Sequence, residues 1–247
     1  MICLPMAGLS RRFFEAGYDR PKYMLDLQGQ TVFAHALRSF ENFFDRETFV
    51  IVCRADYDTP EFVRSECAAA GLPADNLALV VLDHETDGQA ETVATGLSKA
   101  DADPEASLTV FNIDTFRPGF RHPPEIDISE VFGYLEVFEG EGDHWSFAEP
   151  DPDDSPAVLR VAEKERISNL CSTGLYHFRT VAEYLALYNE IAGRDPATLQ
   201  GGERYIAPLY NSAIARGERV CYALISADDV QFCGTPAEYE HLKSRAL

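Results

Sequence analysis

The chain opens on an unbroken apolar run, Ile2-Cys3-Leu4-Pro5-Met6, and similar runs return at Phe49–Cys53, Leu77–Leu82 and Leu108–Ile113. A strand with one wet face alternates apolar and polar positions, whereas a strand covered on both faces does not. These four runs therefore predict short buried strands. Between them the period changes. Val32, Phe33, Ala36, Leu37, Phe40 and Phe44 recur at the spacing of one helix face and predict a helix over Thr31–Phe44. Further helices are predicted over Thr59–Ala70, stopped by Gly71-Leu72-Pro73, and over Gln89–Lys99 after the turn Asp87-Gly88. Strand alternating with helix implies a parallel sheet covered on both faces. Ligands of such sheets sit outside the carboxyl ends of the strands. The loops after Met6, Leu82 and Ile113 are thus expected to face the functional site.

The pattern shifts in the second half. Phe132–Phe138, Trp145–Ala148, Ala157–Ala162 and Leu170–Phe178 read as strands of a mixed or antiparallel extension. Helices are predicted over Val181–Ala192 and Ile206–Arg216, a strand over Val220–Ile225, and a last helix over Pro236–Ser244. No internal repeat or low-complexity segment interrupts them. The expectation is an α/β fold with a mixed, mainly parallel central sheet.

Charge changes the picture of what such a fold could bind. The 41 acidic and 21 basic residues give a net charge of −20. That argues against nucleic acid or an anionic membrane as a partner, since both call for a basic face. It leaves room for a small anion in a local basic pocket, and for a homo-oligomer. The six cysteines form no C-x-x-C pair and lie mostly in apolar runs, as reduced thiols of a cytoplasmic protein do. No apolar stretch nears the roughly 18 residues of a membrane helix, and no signal-like segment opens the chain. His122–Leu159 holds eleven acidic residues and no lysine or arginine. Within it, Glu149–Pro156 is expected to be a solvated loop rather than a metal site.

The first strand carries the strongest chemical signal, because it runs into Ala7-Gly8-Leu9-Ser10-Arg11-Arg12-Phe13, with Pro21-Lys22 following. Small residues at Ala7, Gly8 and Ser10 let backbone N–H groups approach a ligand closely. Arg12 is placed to meet phosphate oxygens with its fork of donors. Pro21 stiffens the loop that delivers Lys22 as a point charge. Neither a G-x-x-x-x-G-K-[ST] nor a G-x-G-x-x-G sequence occurs, the six histidines lack ligand spacing, and there is no G-x-S-x-G elbow.

Met6-Ala-Gly-Leu-Ser-Arg-Arg-Phe13 followed by Pro21-Lys22 resembles the opening motif of the sugar nucleotidyltransferases, with Ser10 where that family usually has a second glycine. The likeness continues along nearly the whole chain. Asp87-Gly88-Gln89-Ala90-Glu91-Thr92-Val93 resembles the second nucleotide loop. Phe111-Asn112-Ile113-Asp114 resembles the strand-end motif whose aspartate holds magnesium. Glu163-Lys164, Ser168-Asn169-Leu170 and Thr173-Gly174-Leu175-Tyr176 are similar to the sugar-phosphate block. Tyr205–Asn211 and Phe232–Pro236 resemble late motifs of capsule-type members.

The resemblance implies a Rossmann-like, glycosyltransferase-A-type α/β/α sandwich in one domain. Residues 1–120 would form the nucleotide-binding half and 121–247 the sugar-phosphate-binding half. It implies Mg²⁺-dependent transfer of a nucleotidyl group from an NTP to a sugar 1-phosphate, with release of pyrophosphate. Arg12, Lys22 and Asp114 would be catalytic, and Asp114 the metal ligand. Ala7, Gly8, Ser10, Gly88 and Gln89 would bind the nucleotide, while Glu163, Lys164, Thr173 and Gly174 would bind the sugar phosphate. One departure stands out: the family often has a second metal-binding Asp where this chain has Phe232, with Asp228 and Asp229 as nearby substitutes. A cytidylyltransferase for a non-sugar phosphate such as phosphocholine, and a catalytically silent nucleotide sensor, remain as alternatives.

Overall fold

The computed structural model describes residues 1–245. Strand β1 (Ile2–Pro5) leads through a short loop into helix α1 (Arg11–Glu15). A two-stranded ribbon, β2 (Asp26–Leu27) and β3 (Gln30–Thr31), precedes α2 (Val32–Arg38). Then come β4 (Phe49–Arg54), α3 (Thr59–Ala70), β5 (Leu77–Leu82), α4 (Gln89–Lys99), β6 (Leu108–Phe111) and the short β7 (Thr115–Phe116). The second half contributes β8 (Gly133–Glu139), β9 (Ser146–Pro150), β10 (Val158–Glu163) and β11 (Leu170–Phe178). It closes with α5 (Val181–Ile191), α6 (Tyr210–Ala215), β12 (Val220–Ile225), β13 (Gln231–Phe232) and α7 (Pro236–Ser244).

Nine of these strands form one sheet. Its parallel part has the order β5-β4-β1-β6. The chain therefore winds outward from β1 in one direction and then returns to its other side, the topology of a Rossmann-like fold. The reversal lies between β1 and β6, and the carboxyl ends of those two strands flank the crevice where such folds bind ligands. Antiparallel β11 pairs with β6, then β8 and β12 extend the sheet on its far edge. The hairpin β9–β10 joins the other end of β11.

Both faces of β1, β4 and β6 are buried as their sequence predicts, whereas β5 stands at the sheet edge, is half-buried over Leu77–Leu79 and leaves Val81 39% exposed. In β4, Val50 and Val52 point toward Ala90, Val93 and Leu97 of α4, while Phe49, Ile51 and Cys53 meet Phe33, Leu37 and Phe40. All six cysteines are free and buried. No helix among the described residues is long and apolar enough to cross a membrane.

Two predicted helices are shorter than their patterns. The run Thr31–Phe44 is helical only over Val32–Arg38, with a separate 3-10 turn at Glu41–Phe43. Buried Ser39 ends it. Its carbonyl accepts from Phe120 N at 3.1 Å and its hydroxyl from Arg117 N at 2.9 Å, so the helix gives way to a tertiary anchor. The segment Ile206–Arg216 starts as a 3-10 turn, Ala207–Leu209, around Pro208, which lacks the N–H that an α-helical interior needs.

Candidate active site

β1 ends where Met6 N donates to Val52 O at 2.8 Å, and the chain turns away from the sheet. A Cβ at Gly8 would meet no protein atom within 4 Å, so packing does not demand glycine there. Its bare backbone instead faces the crevice. Ser10 adopts φ 53° and ψ 28°, the left-handed region that favours glycine. Its hydroxyl accepts a hydrogen bond from Lys22 N at 3.2 Å. The small-residue loop and the Pro21-Lys22 loop are thus tied together, and Lys22 opens the 3-10 turn Lys22–Met24.

Two cavities open at the carboxyl ends of β1 and β6. The first, about 590 Å³, is lined by Ala7, Gly8, Gly88, Gln89, Lys22 and Asp114, with Thr86 and Glu203 among its other walls. The second, about 460 Å³, is lined by Ser10, Arg12, Lys22, Asp114, Glu163, Thr173 and Gly174. Arg11, Lys22, Gln89, Asn112 and Asp114 border both. At this shared wall the Lys22 ammonium pairs with Asp114, each side chain about one-fifth exposed. Beside them the Gln89 amide donates to the Asn112 carbonyl oxygen.

The glycines of the resembling motifs have measurable reasons. Gly88 has φ 137°, and a Cβ there would lie 2.6 Å from the backbone N and O of Arg204. Gly174 has φ 87°, and its Cβ would lie 2.7 Å from Asn112 Cγ. The register shift between Ser172 and Tyr176 in β11 makes this local bulge, which brings Gly174 against the end of β6.

The far wall of the second cavity is aromatic on one side and polar on the other. Trp145 and Phe232 have ring centroids 4.8 Å apart, and Phe138 lies 5.2 Å from both. Opposite, buried Glu163 accepts from the Ser146 hydroxyl, which lies 3.3 Å from Tyr176 Oη. Burial raises the Glu163 pKa, with the Ser146 hydrogen bond opposing it. Glu163 N also donates to Gln200 Oε1 at 3.0 Å.

Eleven of the twelve site residues expected from the sequence line one or both cavities. Lys164 does not. Its ammonium is bonded to Tyr205 Oη and sits 4.4 Å from that ring's centroid, while Tyr205 itself lines the second cavity. Thr173 lines the cavity, but its hydroxyl donates to Glu136 Oε1 at 3.2 Å, so it is already engaged. Asp228 and Asp229 line neither cavity, so neither takes the place that Phe232 fills. Among the described residues no group of three or more His, Cys, Asp or Glu gathers to hold a metal. Asn112, Trp145, Ser146 and Glu203 were not singled out in the sequence. Asn112 lies inside the strand-end motif Phe111-Asn112-Ile113-Asp114, and Trp145 is the sole tryptophan. Glu203 and Ser146 left no local signal, because the fold alone brings them there.

A parallel sheet of this winding, with two cavities meeting at a lysine and an aspartate, is compatible with a nucleotidyltransferase, and the class is fixed by comparison with known proteins. Residues 3–116 match the MobA-like NTP transferase domain. The nucleoside-diphosphate-sugar pyrophosphorylase of Vibrio cholerae RC9 is 48% identical over 99% of this chain and 100% of that one, with a TM-score of 0.92. The inositol-1-phosphate CTP transferase of T. maritima (18% identity, 98% and 94% covered, TM-score 0.70) shares the fold. So does the UDP-glucose pyrophosphorylase of Acinetobacter baumanii (15%, 98% and 91%, 0.68). No curated protein matches the chain. The chain belongs to the sugar nucleotidyltransferase family and is an NTP transferase.

Proposed function

We propose that this enzyme condenses an NTP, held in the first cavity, with a sugar 1-phosphate, held in the second. The observation that carries this reading is the shared wall. A phosphate oxygen of the acceptor attacks the α-phosphorus of the NTP, the bond from that phosphorus to the β-phosphate bridging oxygen breaks, and pyrophosphate leaves. Two anions must meet in line, so positioning and charge neutralisation carry most of the catalysis. Lys22 lies where the cavities join and would hold the α-phosphate against repulsion, with Arg12 helping from the acceptor side. Ala7, Gly8, Gly88 and Gln89 would present backbone and amide groups to the nucleotide. Glu163 and Ser146 would receive sugar hydroxyls.

Asp114 suits a magnesium ion that arrives with the triphosphate. Gly234 leaves its flank open, since a Cβ there would come within 3.2 Å of Asp114 Oδ2. Mg²⁺ commonly takes one or two carboxylates and fills its octahedron with water and substrate phosphates. Bound there, it would neutralise phosphate charge.

The aromatic wall favours a sugar over a trimethylammonium acceptor. Trp145 and Phe232 line the cavity with rings tilted 54° to each other, backed by buried Phe138, and offer apolar surface to the C–H face of a pyranose. A quaternary ammonium wants several ring faces turned toward it. The face of Tyr205 already carries the Lys164 ammonium. The reading keeps the division into a nucleotide half, residues 1–120, and an acceptor half. It also keeps a cytoplasmic enzyme serving capsular polysaccharide synthesis, on the likeness of the late motifs. The acceptor test is pyrophosphate release with each common NTP against glucose 1-phosphate, inositol 1-phosphate and phosphocholine. Turnover is expected with the sugar phosphate, and Phe232→Ala should raise its KM about tenfold. Preference for phosphocholine would overturn the choice of acceptor.

A further inference from the structure

Arg204 is buried to 6% exposure on a segment that none of the recognised motifs includes. Its guanidinium donates to Asp87 Oδ2 at 2.7 Å, Glu91 Oε2 at 3.1 Å, Ala192 O at 3.0 Å and Arg194 O at 2.9 Å. Its backbone repeats the attachment: Arg204 N donates to Asp87 O and accepts at its carbonyl from Ala90 N, both at 2.8 Å. The left-handed Gly88 fits only because no Cβ stands between it and this backbone.

We propose that Arg204 is a positioning residue for nucleotide binding, acting through the loop Asp87–Glu91. This rests on the first cavity being the nucleotide site. The loop has bonds of its own, Asp87 N to Glu91 Oε2 at 2.6 Å and Thr92 Oγ1 to Gly88 O at 3.2 Å. Arg204 adds a second fixation from outside, pairing with the loop backbone and offsetting part of the charge of the two carboxylates that flank Gly88 and Gln89. Two acids beside a triphosphate would otherwise repel it and each other. The same segment sets Glu203 on the first cavity and Tyr205 on the second. A bidentate, planar donor is needed, because a lysine could meet the acids but not both carbonyls as well.

The test uses Arg204→Lys and Asp87→Asn in the full chain, with two readouts. Hydrogen exchange of the ligand-free protein should show the Ala90 amide exchanging at least tenfold faster in Arg204→Lys, with β1 and β4 unaffected. Titration with ATP, CTP, GTP, UTP and dTTP should show the nucleotide that binds wild type bound about tenfold more weakly. Steady-state kinetics should show KM for that nucleotide rising far more than kcat falls. Asp87→Asn, at an exposed side chain, should speed Ala90 exchange in the same direction by a smaller factor. If Arg204→Lys fails to fold, Asp87→Asn and Glu91→Gln decide by the Ala90 exchange readout. Unchanged Ala90 exchange in a folded variant, or nucleotide affinity of folded Arg204→Lys within twofold of wild type, overturns the proposal. A wild type that binds none of the five nucleotides overturns the reading of the cavity, while the exchange measurement still decides whether Arg204 fixes the loop.

Discussion

The hydroxyl of Ser10 accepts a hydrogen bond from the backbone N–H of Lys22 at 3.2 Å, joining two loops twelve residues apart in sequence. Ser10 does this from a left-handed conformation that costs a non-glycine residue roughly 1–2 kcal/mol. The bond returns about 0.5–1.5 kcal/mol. The two terms nearly cancel, so the serine contributes placement of Lys22 rather than stability.

Ser10→Gly should therefore leave unfolding free energy within about 1 kcal/mol of wild type, while turnover falls several-fold as Lys22 loses its tether. Ser10→Ala keeps the strain and loses the bond, so it should be less stable by about 1 kcal/mol. Urea unfolding beside a pyrophosphate-release assay separates the two. Full activity in Ser10→Gly would show that Lys22 needs no tether.

Gly174 offers a second test. Its φ of 87° and the nearness of Asn112 make any side chain there both strained and crowded. Gly174→Ala should cost on the order of 2 kcal/mol or more. Asn112 must shift, and it is the hydrogen-bond partner of Gln89. Nucleotide affinity should fall together with stability. A variant that loses stability but binds nucleotide normally would separate Asn112 from the site.

Acid should unfold the protein earlier than its carboxylates alone would. His122 bonds Tyr134 Oη at 2.9 Å, and burial lowers its pKa to about 4. Burial also lowers that of His177, whose ring lies 4.9 Å away, well below the ordinary value. The unfolded chain takes up these protons as pH falls through about 6.5, but the folded chain does not take one at His122 until about 4. Stability is thus lost as pH drops through that window, by up to about 3 kcal/mol from His122. His122→Gln should flatten part of the slope between pH 6.5 and 4 in urea titrations. An unchanged slope would remove His122 from the account.

The parallel half of the fold was legible because β1, β4 and β6 are buried on both faces and its helices repeat at one spacing, while the same kind of apolar run conceals that β5 is a half-exposed edge strand. Phe49–Cys53 alternates its side chains between two apolar layers, so the run itself announces coverage. Helix ends were less legible, since Ser39 stops its helix through bonds to residues about 80 positions later. The same holds for the site. Lys22, Asp114 and Gly88 sit in local motifs that chemistry can read. Arg204, Glu203 and Ser146 join them only through long-range folding, and nothing local marks them. Lys164 reads as a phosphate ligand by its neighbours in sequence, and in the structure its ammonium rests on Tyr205, which lines the second cavity.

If Lys22 and Asp114 mark the place where nucleotide and acceptor react, removing either must slow turnover. Pyrophosphate release from the preferred NTP and sugar 1-phosphate, with Mg²⁺, measures it directly in wild type, Lys22→Ala and Asp114→Ala. Turnover is expected in wild type, with a loss on the order of 10²-fold or more in each variant and the fold intact. No release with any pair of substrates, or wild-type rates in both variants, would contradict it.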